Sequence, residues 1–242
     1  MTRNDIIRME RCHVKAWPAF ETRNIDGWHW RYSGGGSQRA NSVSTVDFNG
    51  EDPGFALDKA ESPYAAKRTV TRIQTFDFTQ PLGLDDLLRT RGYKETENTL
   101  TMVKRIEAQP VPPDTEQYDH AAPEWREVYL GAITEIRRAV NTQILENIPE
   151  PRAFFACHRN GRAISTALSV VGYGCAVVEC VATREDGPPP GRQQKIRCVR
   201  WKPGLERRKR TFWDYRSWPR MPQPSRYMNA WVMSCGQQIG SG

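Results

Sequence analysis

The chain has 242 residues, 38% of them hydrophobic and 26% charged, which is ordinary for a globular protein with a sizeable core and unlike a disordered or fibrous chain. Met1 to Arg11 is polar and charged, and no apolar run approaches the roughly 20 residues of a membrane-spanning helix, so neither a secretory signal nor a helical membrane protein is read, and the cytoplasm is the expected compartment. The formal net charge of +7 is confined to the end of the chain: residues 1–186 carry 23 basic and 26 acidic side chains, residues 187–242 carry 12 and 2.

In chain order, the first stretch reads as α+β. Gly27 to Tyr32 is strand-like and aromatic, the triplet Gly34-Gly35-Gly36 turns, and Asn41 to Phe48 alternates polar and apolar residues with period two. Asp52 to Lys67 has the alanine and glutamate content of a helix, and Val70 to Phe76 is β-branched. Leu82 to Arg91 predicts a short helix with Leu84, Leu87 and Leu88 on one face, stopped by Gly92. Glu95 to Ile106 alternates again, and the proline-bearing segment Gln109 to Pro113 is the linker candidate, so that residues 1–107 form one half and 108–121 the connection.

After it comes the strongest helical pattern. Pro123 suits a first turn, and Trp125, Tyr129, Ile133, Ile136, Val140 and Ile144 recur at three- and four-residue spacing, the stripe of a helix that faces a core. A meander follows. Ala153 to Cys157 and Ala163 to Val171 are strands joined through Asn160-Gly161, a strong hairpin signal because both residues tolerate positive φ. Gly172-Tyr173-Gly174 turns once more, and Cys175 to Thr183 is a nearly continuous apolar strand broken only by Glu179. Such a strand is expected at the centre of a sheet.

The six cysteines, Cys12, Cys157, Cys175, Cys180, Cys198 and Cys235, form no CxxC pair, and the four histidines do not stand at zinc-ligand spacing with them. Buried, reduced thiols and no metal site are expected.

The helix, the antiparallel strands and the strand ending Cys180-Val181-Ala182-Thr183-Arg184-Glu185-Asp186 resemble the GNAT N-acetyltransferase superfamily over residues 122–186. The segment Leu82 to Tyr93 resembles the late helix of that family, and Gln38 to Val43 a strand of its tandem members, so residues 1–107 resemble a degenerate first copy. The resemblance implies a mixed, mostly antiparallel sheet flanked by helices in two GNAT-like halves. It implies acyl transfer from acetyl-CoA or another acyl-CoA to a small-molecule or peptide amine. It also implies cofactor contacts at Val181, Ala182, Thr183 and Gly191, with the strand amides polarising the thioester carbonyl. Glu179, the one carboxylate of the strand, has two readings: a general base for the amine, or a structural partner for an arginine. Cys180 has no base placed beside it, so a buried thiol is favoured over a nucleophile.

The family pattern calls for a glycine-rich pyrophosphate loop opening a helix after this strand. Here the chain runs Gly187-Pro188-Pro189-Pro190-Gly191, and three prolines remove the N–H groups a phosphate cradle needs. Read in the frame joining each codon's third base to the next two, Phe212-Trp213-Asp214-Tyr215 encodes Leu-Gly-Leu whichever synonymous codons are used. Arg226 to Ser234 in that frame permits Leu-Tyr-Glu-Arg-Leu-Gly-Tyr-Val, similar to the family's tyrosine-bearing segment. Residues 187–242, basic and rich in proline and tryptophan, are therefore read as an irregular, frameshifted tail. The cluster Glu206 to Arg210 then carries no nucleic-acid function, although a nucleic-acid module is the competing reading of such a basic run.

Overall fold

The first helix is one that composition hides. In the computed structural model, which describes residues 2–76, 78–97, 101, 112–184 and 237–241, α1 (Arg3–Ala16) begins on a reciprocal cap. The Thr2 hydroxyl accepts from the Asp5 amide, and the Asp5 carboxylate accepts from the Thr2 amide, which satisfies two donors that a helix start otherwise leaves open. Ile6, Met9, Cys12 and Ala16 form its buried stripe.

Two sheets flank this helix. The first contains β1 (Glu21–Ile25), β2 (Trp28–Tyr32), β3 (Val43–Ser44), β4 (Arg72–Thr75) and β5 (Tyr93–Glu97). The strand at 237–241 inserts between β4 and β5, and only the β3–β4 pairing is parallel. The helices α2 (Pro53–Ala66) and α3 (Leu84–Thr90) close a core of Trp28, Trp30, Leu57, Tyr64, Ile73 and Leu88. The expected strand over Asn41 to Phe48 shrinks to two residues, because Arg39–Asn41 winds into a 3-10 turn before it.

The second sheet runs in the order β6 (Thr115–Tyr118), β7 (Arg152–Arg159), β8 (Arg162–Gly172), β9 (Cys175–Thr183), antiparallel throughout. Asn160-Gly161 has the positive φ its residues predict, 52° and 73°, and the second turn takes 49° and 79° at Tyr173-Gly174. The segment read as a linker thus ends in a strand, β6.

The helix expected from Pro123 to Ile144 is two, α4 (Pro123–Gly131) and α5 (Glu135–Glu146). The break at Ala132 to Thr134 rotates the stripe out of register, and Ile136 points to solvent at 83% exposure. Trp125 anchors α4: it is wholly buried, donates from Nε1 to the Ala167 carbonyl at 3.1 Å, and meets Phe154 edge-on at 5.1 Å between ring centroids.

The apolar run of β9 predicts a place at the sheet centre, and the structure differs. Among the described residues β9 pairs with β8 alone and forms the edge, with Val181 42% exposed. No helix among the described residues is long and apolar enough to cross a membrane.

α1 lies between the sheets. On one side Cys12 packs in the core of the second sheet, and the Lys15 ammonium donates to the carbonyls of Glu150 and Val171. On the other side Arg11 pairs with Asp47 at 2.6 Å, and Glu10 and His13 turn toward β2 and β4.

Candidate functional site

The site grows from one irregularity in β9. Between Thr166 and Leu168 on β8 there is one residue; between their partners Ala182 and Glu179 on β9 there are two. Cys180 takes up the extra residue with φ +53°. A bulge of this kind bends its strand and re-aims the neighbouring backbone and side chains. Here it lies next to Glu179 on one side and Val181, Ala182 and Thr183 on the other. Val181 is exposed, Ala182 is buried opposite Thr166, and Thr183 is half-buried opposite Ser165. These three bulge-adjacent residues and Glu179 therefore form one continuous run, while Gly191 lies outside the described residues.

Glu179 has a fixed partner. Arg39 reaches it with both terminal nitrogens, at 2.6 Å to Oε1 and 2.7 Å to Oε2, a bidentate fork that fits a carboxylate. Burial pushes this carboxyl up, but the Arg39 charge outweighs it and holds the pKa down at about 2. The arginine-partner reading of Glu179 is thus the arrangement found. A carboxylate held so low is a weak proton acceptor, and it acts as a base only once Arg39 is drawn away.

The loop between β2 and β3 is built to present Arg39. Asn41 is buried and pins the loop from within: its Oδ1 accepts from the Ser33 amide at 2.8 Å, and its Nδ2 donates to the Ser37 carbonyl at 2.6 Å. Trp17 donates from Nε1 to the Ser37 hydroxyl at 2.9 Å and lies beneath the Arg39 guanidinium, 5.6 Å from ring centre to Cζ. Gly36 has φ +68°, and a Cβ there would stand 2.8 Å from the Val140 Cβ, so only glycine lets this loop rest on α5. Sequence reasoning missed Arg39, Trp17 and His13. The family-like segment Gln38 to Val43 marked the loop as a strand, and nothing in it announced a partner 140 residues away.

Below the pair, the His13 ring stands with Nδ1 3.8 Å from Glu179 Oε1, too far for a hydrogen bond. Above it, Tyr129 of α4 contacts Cys180, and its hydroxyl accepts from Asn141 Nδ2 at 3.1 Å. Burial raises the Cys180 thiol first, and the Glu179 charge adds to it, so this sulfur is protonated and not a nucleophile. Cys12, Cys157, Cys175 and Cys180 are all buried and unlinked; Cys198 and Cys235 lie outside the described residues.

A second grouping was also missed. Glu116, Glu124 and His158 bring ligand atoms within 4.8 Å of one another, and the Tyr118 hydroxyl bonds to both carboxylates. It depends on β6, which lies within the expected linker, so the sequence offered no signal for it. Glu116 is exposed, and Glu124 and His158 are half-buried.

A family model described as probable histone acetyltransferase Rv0428c C-terminal matches residues 3–179. Among solved structures, a GCN5-related N-acetyltransferase from Kribbella flavida superposes with a TM-score of 0.57 at 12% identity, over 97% of this chain and 93% of that one. A tandem GNAT protein from the clavulanic acid biosynthesis pathway aligns at a TM-score of 0.42 and 10% identity, over 78% and 70%. No curated protein matches. At 12% identity the likeness to the Kribbella flavida protein speaks for the fold, and the family model over residues 3–179 speaks for descent.

Proposed function

Because the chain belongs to the GNAT superfamily, within the family described as probable histone acetyltransferase Rv0428c C-terminal, we propose that it transfers an acetyl or other acyl group from acyl-CoA to an amine, with the acyl-CoA lying along the outer edge of β9. The observation that carries this reading is the bulge at Cys180 on a strand whose outer edge meets no other strand among the described residues. An edge of this kind offers backbone donors and acceptors to an extended ligand arm. The bulge breaks the ladder next to Val181, Ala182 and Thr183, the contacts we assign to the thioester and pantetheine. Fixed amides in a partly desolvated strand stabilise a developing oxyanion without reorganising.

In this scheme the acceptor approaches at Glu179. An incoming ammonium competes with Arg39 for the carboxylate and gives Glu179 one proton, and the neutral amine then attacks the acyl carbon. The C–N bond forms, the C–S bond breaks, and the CoA thiolate leaves with the second proton that the nitrogen releases. Residues 1–107 serve as a non-catalytic half that supplies Arg39, with residues 122–186 as the acyl-transfer half. A reducing, cytoplasmic setting suits four buried cysteines.

The test is amine-dependent release of CoA thiol from acetyl-CoA, followed with a thiol reagent across polyamines, aminoglycosides and lysine-bearing histone-tail peptides. Acceptor-dependent release that falls at least about a hundredfold in Glu179→Gln, the loss typical of removing a general base, supports the scheme; release without any dependence on acceptor or on Glu179 sinks it. One observation favours a second reading. Gly187 to Gly191 carries prolines where a pyrophosphate cradle belongs, so a GNAT-like binding protein or an inert, frameshifted form is the alternative. Sequencing the encoding DNA tests the frameshift, which fails if the offset frame after Asp186 holds no GNAT-like continuation.

A further inference from the structure

An unexplained polar feature lies beside the Glu179 pair, in a small, partly open cavity between α1 and the first sheet, walled by Glu10 and His13 of α1, Arg31 of β2, Arg39, and Thr75 of β4. Four buried polar atoms on its walls have no hydrogen-bond partner: both ring nitrogens of His13, Nε of Arg31, and the Thr75 hydroxyl. The three residues are 5%, 2% and 1% exposed. Native structures satisfy nearly all such atoms, so several orphans facing one space indicate a ligand in it.

Charge decides which ligand. Arg31 spends Nη2 on two neutral acceptors, the Ser42 hydroxyl at 3.2 Å and Gln74 Oε1 at 2.7 Å. Among the described residues no carboxylate forms an ion pair with it, and the Arg39 charge is already matched by Glu179. Burial first, then repulsion from Arg39, pulls the Arg31 pKa down to about 10, and Glu10 offsets this only in part. Glu10 is the carboxyl on the wall, and burial pushes its pKa up, which weakens its opposition to an anion. The space open to the centre of a water-sized particle is about 10 Å³, enough for one. A water molecule would satisfy the orphan donors and leave the guanidinium unbalanced; an anion does both.

We propose that this cavity binds one small monovalent anion of halide size, held by Arg31 Nε–H, the Thr75 hydroxyl and a His13 ring N–H. Because α1 also packs on the second sheet while Arg31 and Thr75 belong to the first, the anion ties α1 to the first sheet just behind the Arg39–Glu179 pair.

The test uses the whole chain. Melting is followed in sodium chloride, bromide and gluconate at equal ionic strength, and crystals soaked in sodium bromide are measured at the bromine absorption edge. The expected result is one anomalous peak in the cavity, within reach of Arg31 and Thr75, and melting that rises by several degrees in halide over gluconate, on the order of 4 °C near saturation. Thr75→Val keeps the side-chain shape and removes one donor, so the half-saturating chloride concentration rises on the order of tenfold. Arg31→Met abolishes the halide response, and if that variant does not fold, Thr75→Val alone carries the comparison. Ordered water without an anomalous peak, identical melting in chloride and gluconate, or an unchanged chloride response in Thr75→Val each overturns the proposal. None of these outcomes bears on acyl transfer.

Discussion

Replacing Arg39 with glutamine removes one half of a pair that joins the two halves of the molecule, and the size of the effect follows from its geometry. Glu179 is held at about 2 against an ordinary value of 4.5, and each tenfold change in acidity corresponds to about 1.4 kcal/mol. The carboxylate is 10% exposed and Arg39 30% exposed, so solvent screening is limited, and the pair is worth about 3 kcal/mol. That agrees with the roughly 3–5 kcal/mol typical of breaking one partner of a buried pair. A depressed acid stabilises the fold above its unfolded pKa and loses that contribution as pH falls from about 4.5 toward about 2. In Arg39→Gln the unpaired carboxyl, still buried, titrates above its ordinary value instead. The variant should therefore be destabilised by about 3 kcal/mol at pH 7 and by roughly 1 kcal/mol less at pH 4, where its Glu179 is already protonated. Urea unfolding at the two pH values measures both. The double variant Arg39→Gln/Glu179→Gln should recover most of the loss at pH 7, since no buried charge is left unpaired. A loss under about 0.5 kcal/mol at pH 7, or one that does not change with pH, would refute the pairing and the displaced-arginine step built on it.

Trp125→Ala should cost about 4 kcal/mol in urea unfolding, because it empties a fully buried site and orphans the Ala167 carbonyl; a cost under about 2 kcal/mol would mean the α4 contact is misread. Gly27→Ala should cost at least about 2 kcal/mol, since φ is +91° and a Cβ would stand 1.7 Å from the Asp47 carbonyl oxygen, and a neutral effect would contradict that turn. Cys12, whose thiol burial pushes up to about 12, and Cys157, Cys175 and Cys180 should escape iodoacetamide at mildly alkaline pH in the native protein and react after denaturation. Peptide mass spectrometry reads this site by site, and rapid native labelling of Cys180 would contradict its burial against Tyr129.

Much of the fold is legible where short-range chemistry settles it. Asn160-Gly161 turns as its tolerance of positive φ predicts, Gly172-Tyr173-Gly174 turns where its glycines mark it, and β7, β8, β9, α2 and α3 fall where pattern places them. The misses share one cause: the deciding contact lies far along the chain. α1 is polar on most of its surface, and only the Thr2-to-Asp5 cap and the spacing of Ile6, Met9, Cys12 and Ala16 betray it. β1 was missed although Asp26-Gly27 is a strong hairpin signal. The stripe from Trp125 to Ile144 looks continuous, yet the break after Gly131 turns Ile136 outward. At the site, Glu179 stands out as the sole carboxylate of an apolar strand, while Arg39 does not, because an arginine in a polar loop carries no mark of the strand it will reach. The bulge at Cys180 is equally silent, since a non-glycine residue at positive φ is fixed by its surroundings and not by its own preference.

If β9 is the edge that receives acyl-CoA, hydrogen exchange registers it directly. With saturating acetyl-CoA, exchange should slow in peptides covering Cys175–Thr183, most of all across Val181 to Thr183, while the strands of the first sheet stay unchanged. Saturating acetyl-CoA that leaves exchange in β9 unaltered, or slows it only elsewhere, contradicts that placement and the acyl-transfer scheme built on it.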